Sequence, residues 1–160
     1  MTLIKYNVDT KEWNKKFPKF KMYISRTVDE TLKVINNSSL DITVSFFLTS
    51  NQNIKKLNHI YRNKNEPTNV LSFPMKIHYE GNYQLGDIVI ASQALLKESA
   101  EKKITKYDYL CKITIHGMLH LLGYDHETEL EYNQMNKFEN KIFDNLKQNL
   151  WSKNFLKIAS

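Results

Sequence analysis

From Phe20 to Ile35 the apolar positions Phe20, Tyr23, Ile24, Val28, Leu32 and Ile35 recur at helical spacing and predict a long amphipathic helix. Asn36-Asn37-Ser38-Ser39 is the expected stop. Ahead of it, residues 3–8 alternate and predict a first strand, with Leu3 and Lys5 on one side and Ile4, Tyr6 and Val8 less regularly placed. Residues 42–48 are β-branched and aromatic, too short a run for a core helix, and predict a buried strand. Thr49-Ser50-Asn51 offers cap residues for a helix carrying Ile54, Leu57 and Tyr61 on one face.

Glu66-Pro67 breaks the chain before a strand over 69–73, and Pro74 suits its end or an edge position. Residues 76–84 are polar around Gly81-Asn82 and read as a hairpin connection to a further strand, 85–91. A helix over about 92–102 follows. Thr105 or Asp108 is placed to cap the next one, whose apolar surface is Leu110, Ile113, Leu119 and Leu122. The last helix, roughly 127–150, carries Leu130, Met135, Phe138, Ile142 and Leu146.

This order predicts an α+β (mixed α/β) fold, a small four-stranded sheet packed with about five helices. With 160 residues, four Gly and three Pro, the chain suits one domain over residues 1–150. Residues 151–160 are expected to form a C-terminal tail that frays or docks through Trp151 and Phe155. No apolar run approaches a membrane span, and the first residues lack the pattern of a signal peptide, so a cytoplasmic, membrane-free protein is expected. Single Cys111 fits a reducing compartment and reads as a buried thiol.

Charge adds a direction. The net charge is +6, but residues 1–64 hold 12 basic and 5 acidic side chains and residues 65–160 hold 11 and 12. The asymmetry suits a polyanionic partner, and equally a lysine-rich solvated surface. The aromatics Trp13, Phe17 and Phe20, set among the N-terminal lysines, are expected to face the core.

The candidate chemistry lies in His116-Gly117-Met118-Leu119-His120-Leu121-Leu122-Gly123-Tyr124-Asp125-His126. His116 and His120, four apart on a helix, project one turn apart from the same face. Gly123 can take positive φ and end the helix, so that the chain doubles back and brings His126 to the pair. Three imidazoles at these intervals predict a metal site at a helix and its following turn. Three neutral nitrogens favour zinc, one per chain, with a fourth position open to water or substrate. A zinc peptidase of this spacing needs a glutamate beside the first histidine, and Gly117 removes that mechanism. Asp125 is the nearest carboxylate in sequence, suited to orienting a ligand, handling a proton or capping the turn.

These residues resemble the YbeY-type (UPF0054) endoribonucleases. The resemblance rests on the histidine block and is reinforced by Leu57-Asn58 through Tyr61-Arg62, by residues 67–74 (PTNVLSFP) and by Leu85-Gly86-Asp87-Ile88. It implies a zinc-dependent, single-strand-selective endoribonuclease of 16S rRNA 3′-end maturation and ribosome quality control. It further implies zinc on His116, His120 and His126, and Arg62 as the basic residue of the active cleft. Small-subunit ribosomal proteins and a ribosome-assembly GTPase are the implied partners, alongside single-stranded and ribosomal RNA. Arg62, with its donor fork, suits a scissile phosphate. Lys55, Lys56 and Lys64 suit flanking phosphates. Ser72 is expected to present a hydroxyl near the site, and Asp87 to buttress a histidine or Arg62 where it is not simply structural. Two other readings stand beside this one: a zinc hydrolase of another phosphoester or a peptide, and a non-catalytic ribosome-associated RNA-binding factor whose metal is structural.

Overall fold

In the computed structural model, which describes residues 1–35 and 40–149, the N-terminal alternation becomes β1 (Thr2–Val8). Ile4, Tyr6 and Val8 pack on the core while Leu3 faces out. The expected stop at Asn36-Asn37-Ser38-Ser39 and the tail at 151–160 lie outside the described residues.

No periodicity announces α1 (Lys11–Lys16), because six residues make less than two turns and Trp13 alone is buried. Its indole N–H donates to the carbonyl of Thr49 at 3.0 Å. Trp13, Phe17 and Phe20 all join the core, as their pattern implied. The helices therefore number six among the described residues, where about five were expected.

The long helix α2 (Phe20–Ile35) lies on one face of a sheet that has β2 (Asp41–Thr49) as an interior strand. After β2, Ser50 caps α3 (Asn51–Arg62) by accepting the Asn53 N–H at 3.3 Å. The hairpin β3 (Val70–Tyr79) and β4 (Asn82–Ala91) completes the sheet in the order β1-β2-β4-β3. β1, β2 and β4 run parallel, and β3 is an antiparallel edge. Pro74 sits on that edge, where a missing amide costs no ladder bond.

The hairpin corrects one expectation. Residues 76–84 are not a connection but mostly strand, joined by a two-residue turn at Glu80-Gly81 with φ of 47° and 79°. Positive φ at both turn residues matches the twist of a tight hairpin. Polar composition misled the reading because this arm of β3 is solvent-exposed.

Helices α4 (Ser92–Glu101), α5 (Lys106–Leu121) and α6 (Glu129–Asn149) follow. The main core gathers Ile42, Val44, Phe46, Leu48, Ile88 and Ile90 of the sheet against α2, α5 and α6. Alternate strand residues Leu71, Val89 and Ala91 face the other way, onto Ile54 of α3 and Ala94 of α4. The sheet thus separates α3 from α5. Arg62, at the end of α3, must reach past the β3 edge to meet the histidines.

Candidate metal centre

The helix that carries the histidines is fixed at both ends. Thr105 caps α5 by accepting the Asp108 N–H at 3.1 Å. At the other end the Gly123 N–H donates to the His120 carbonyl (3.1 Å) and the Tyr124 N–H to the Leu119 carbonyl (2.9 Å). With Gly123 at φ +100°, this is a Schellman turn. The turn reverses the chain as its glycine implied, and Tyr124 is anchored on Phe138 at 5.2 Å between ring centroids.

Reversal brings the three imidazoles together. One ligand atom from each of His116, His120 and His126 lies within 4.8 Å of the others. The His116 and His120 Nε2 atoms are 3.1 Å apart. Tetrahedral zinc–nitrogen bonds of ~2.0–2.1 Å would put two ligand nitrogens roughly 3.3 Å apart. The Tyr124 carbonyl lies 3.0 Å from His120 Nδ1, and Glu139 Oε2 on α6 lies 3.5 Å from His116 Nδ1. A proton on each Nδ1 satisfies those oxygens and leaves two Nε2 lone pairs facing each other. Such an arrangement is repulsive until a cation stands between them. Burial, then the neighbouring His116 and His126, lowers the His120 pKa below the ordinary imidazole value, which favours the neutral ligand form. The three histidines therefore fit a metal ion, with outer-shell partners that orient two of them.

Gly117 faces the sheet beside this site, against Ile88 and the cleft residue Ser72. A Cβ there would stand 3.2 Å from both Ile88 Cγ2 and Ser72 Oγ. The Ser72 hydroxyl donates to the Gly117 carbonyl at 3.1 Å. Position 117 is where α5 lies flat on β3 and β4, so a glutamate there would press on Ile88 and Ser72 of the sheet. Gly86 serves the same contact from the strand side: at φ +148°, its Cβ would fall 2.4 Å from the Phe73 carbonyl oxygen and 2.9 Å from Leu121.

In front of the histidines lies a cleft of about 420 Å³, lined by Arg62, Ser72, Lys76, His120, Asp125 and His126 among others. Arg62 ends α3, and the following loop is tied back to the helix. Asn63 takes the left-handed conformation, the Lys64 N–H donates to the Asn58 carbonyl, and Asn58 Nδ2 donates to the Glu66 carbonyl at 2.9 Å. Asp125 caps its own turn, with Oδ1 accepting the His126 N–H at 2.8 Å.

Other expected residues fall elsewhere. Lys55 and Lys56 line a separate hollow on the outer face of α3 with His59 and Ile60, and Lys64 is exposed on the loop behind Arg62. Asp87 pairs across the hairpin with Phe73 and alternates with the residues that face α5. It is placed on the opposite side of the sheet, with no hydrogen bond to a histidine or Arg62 among the described residues; burial raises its carboxyl pKa. Burial pushes the Cys111 thiol up to about 12, which removes it as a nucleophile. Sequence reasoning missed Glu139 and Lys76. Nothing local marks either: Glu139 is one of many polar positions on α6, and Lys76 lay in a stretch read as a connection.

The chain and its fold have counterparts. The family model described as Endoribonuclease YbeY matches residues 6–147. Among curated proteins named Endoribonuclease YbeY, that of Ehrlichia ruminantium (strain Gardel) is 37% identical over 145 residues, covering 90% of this chain and 91% of its own. The one from Buchnera aphidicola (subsp. Acyrthosiphon pisum, strain APS) is 40% identical over 130 residues, 81% of each. The solution structure of TM1509 from Thermotoga maritima aligns over 93% of both chains with a TM-score of 0.51 at 24% identity, a likeness of fold.

Proposed function

The chain belongs to the endoribonuclease YbeY family, and from that premise we propose that it is a zinc-dependent endoribonuclease that cuts single-stranded RNA. Its proposed tasks are maturation of the 16S rRNA 3′ end and ribosome quality control. The observation that carries the reading is that the three-histidine cluster opens, through His120 and His126, on the cleft that Arg62 also lines, although α3 and α5 lie on opposite faces of the sheet.

Zinc held by His116, His120 and His126 would supply Lewis acidity at the scissile phosphate. Arg62 would grip that phosphate through two parallel N–H donors and stabilise the charge that builds on it. Asp125, which lines the cleft, would carry a proton between the attacking and leaving oxygens. Ser72 would act indirectly, through its bond to the Gly117 carbonyl that seats α5 on the sheet. Lys55, Lys56 and Lys64 would meet phosphates beyond the cleft. Asp87, across the sheet, would serve the fold rather than the metal. A cleft of about 420 Å³ has the size of a small-ligand pocket and is far too small to enclose a duplex. No helix among the described residues is long and apolar enough to cross a membrane. Residues 1–150 would be the catalytic domain, working in the cytoplasm with small-subunit ribosomal proteins and a ribosome-assembly GTPase as partners.

The test is cleavage of a single-stranded RNA by the unaltered chain, Arg62→Glu and His116→Ala, with 3′-end mapping on precursor 16S rRNA. Both variants should lose cleavage and Arg62→Glu should keep its metal. Equal cleavage by all three would expose a contaminating nuclease and end the proposal. Metal-independent RNA binding without cleavage would favour a binding factor instead.

A further inference from the structure

Beyond the turn residues of the hairpin, β3 holds a non-glycine residue in the left-handed region: Lys76, at φ +53°. It stands where the pairing of β3 with β4 slips, between Pro74 and Ile77. A side chain with a Cβ meets steric resistance there, and such conformations persist where the surrounding structure imposes them. A bulge of this kind re-aims a side chain. Here the Lys76 side chain is aimed into the cleft that holds Arg62, His120 and His126. Its Nζ comes to 3.3 Å from the place a Cβ on Gly123 would occupy, so the bare glycine of the helix-ending turn leaves room for the amine.

Among the described residues neither Lys76 nor Arg62 has a side-chain hydrogen bond or an ion pair, although Asp125 and Glu127 line the same cleft. Two cations thus stand unpaired along the β3 edge, one before the strand and one within it, beside the three histidines. An ordinary surface lysine needs neither a bulge nor a positive φ.

We propose that Lys76 is a phosphate-binding positioning residue: it holds the phosphodiester next to the scissile one, so that the RNA backbone runs along the β3 edge from Arg62 to Lys76. The inference rests on the RNA-cleaving reading above and adds to it the path of the strand. The competing role, neutralising Asp125 and Glu127 without touching RNA, gives a different experimental result.

The experiment measures binding of the metal-loaded full chain to a fluorescent single-stranded oligonucleotide, 2′-O-methylated to block attack by its own hydroxyls, across a range of salt. Lys76→Gln and Lys76→Gly should weaken binding about 3–10-fold and flatten the slope of log affinity against log salt by ~0.7, the loss of one phosphate contact on a single strand. Lys76→Arg should retain both. Lys33→Gln, a charge-matched change on the exposed side of α2, should behave as the unaltered chain. Glycine adopts positive φ freely, so Lys76→Gly should melt at or above the unaltered temperature, which separates lost binding from lost folding. On cleavable RNA the change should appear in KM with kcat nearly unmoved.

Unaltered affinity and salt slope in Lys76→Gly would overturn the proposal, and so would equal weakening by Lys33→Gln. If the unaltered chain cuts no RNA while the Lys76 effect on binding persists, the catalytic reading falls and the phosphate site stands. Metal-dependent cutting with no Lys76 effect gives the reverse.

Discussion

The histidine wall of the cleft is held from behind, whereas the wall that carries Arg62 and Lys76 is positioned by its backbone alone. His120 leans on the Tyr124 carbonyl and His116 on Glu139, and both stand on a helix whose other face is buried in the main core. Arg62 and Lys76 are exposed side chains at a helix end and a strand bulge, with no partner among the described residues. Groups that must hold an ion at fixed distances need locked rotamers. Cations proposed to bind RNA would instead keep their donors free until it arrives. The two walls should therefore fail differently under mutation.

His116→Ala should remove the metal and reduce RNA cleavage to background, as read by metal analysis and gel assay; a variant that keeps a full equivalent of metal would dissolve the distinction between the walls. Arg62→Ala should leave metal content intact and lower kcat on the order of 10²–10³-fold, the scale of one lost charge-stabilising donor. Parallel loss of metal and rate in that variant would mean that the cationic wall also builds the site.

Gly117→Glu tests the backing of the histidine wall. It restores the sequence pattern of a peptidase but drives a charged side chain into the α5–sheet contact, and should cost about 3 kcal/mol or more of stability. Thermal unfolding measures it, and a variant as stable as the unaltered chain would refute the tight packing described for position 117. Glu139→Gln is gentler: metal affinity should fall about 10–100-fold in competition with a chelator while folding is kept.

The smallest effect concerns pH. The folded-state pKa of His120 is lowered, so the contribution of its neutral form is present above the unfolded value of 6.5 and is lost as pH falls through the folded value. Chelator-stripped protein should lose stability on acidification below pH ~6.5, and metal should leave over the same range as protons compete for the imidazoles. A metal content unchanged far below that range would contradict imidazole ligation.

The same contrast explains what could be read from the chain. The histidine wall was legible because its geometry is local: a four-residue spacing, a glycine and a third histidine are all contained in eleven positions. α2, β2, α3, α5 and α6 were legible because each buries a stripe or run large enough to show a period. The cationic wall was only half legible. Arg62 came through resemblance, while Lys76 depends on a register slip between two strands that composition had shown as a loop. Glu139 reaches His116 only through the packing of α6 on α5, a tertiary fact with no sequence period. α1 was hidden by its length. Asp87, read first as structural, alternates with the strand residues that face α5 and so sits on the face away from the histidines, which no local pattern announced.

On the proposed function, His116, His120 and His126 would hold one metal and leave one position for the substrate. X-ray absorption at the metal edge of zinc-loaded protein, with and without a non-cleavable single-stranded RNA, tests it most directly. Three nitrogen ligands at ~2.0–2.1 Å and one light ligand that changes when RNA is added are the expected result. A closed four-ligand shell that ignores RNA, or a shell that survives intact in His126→Ala, would contradict it.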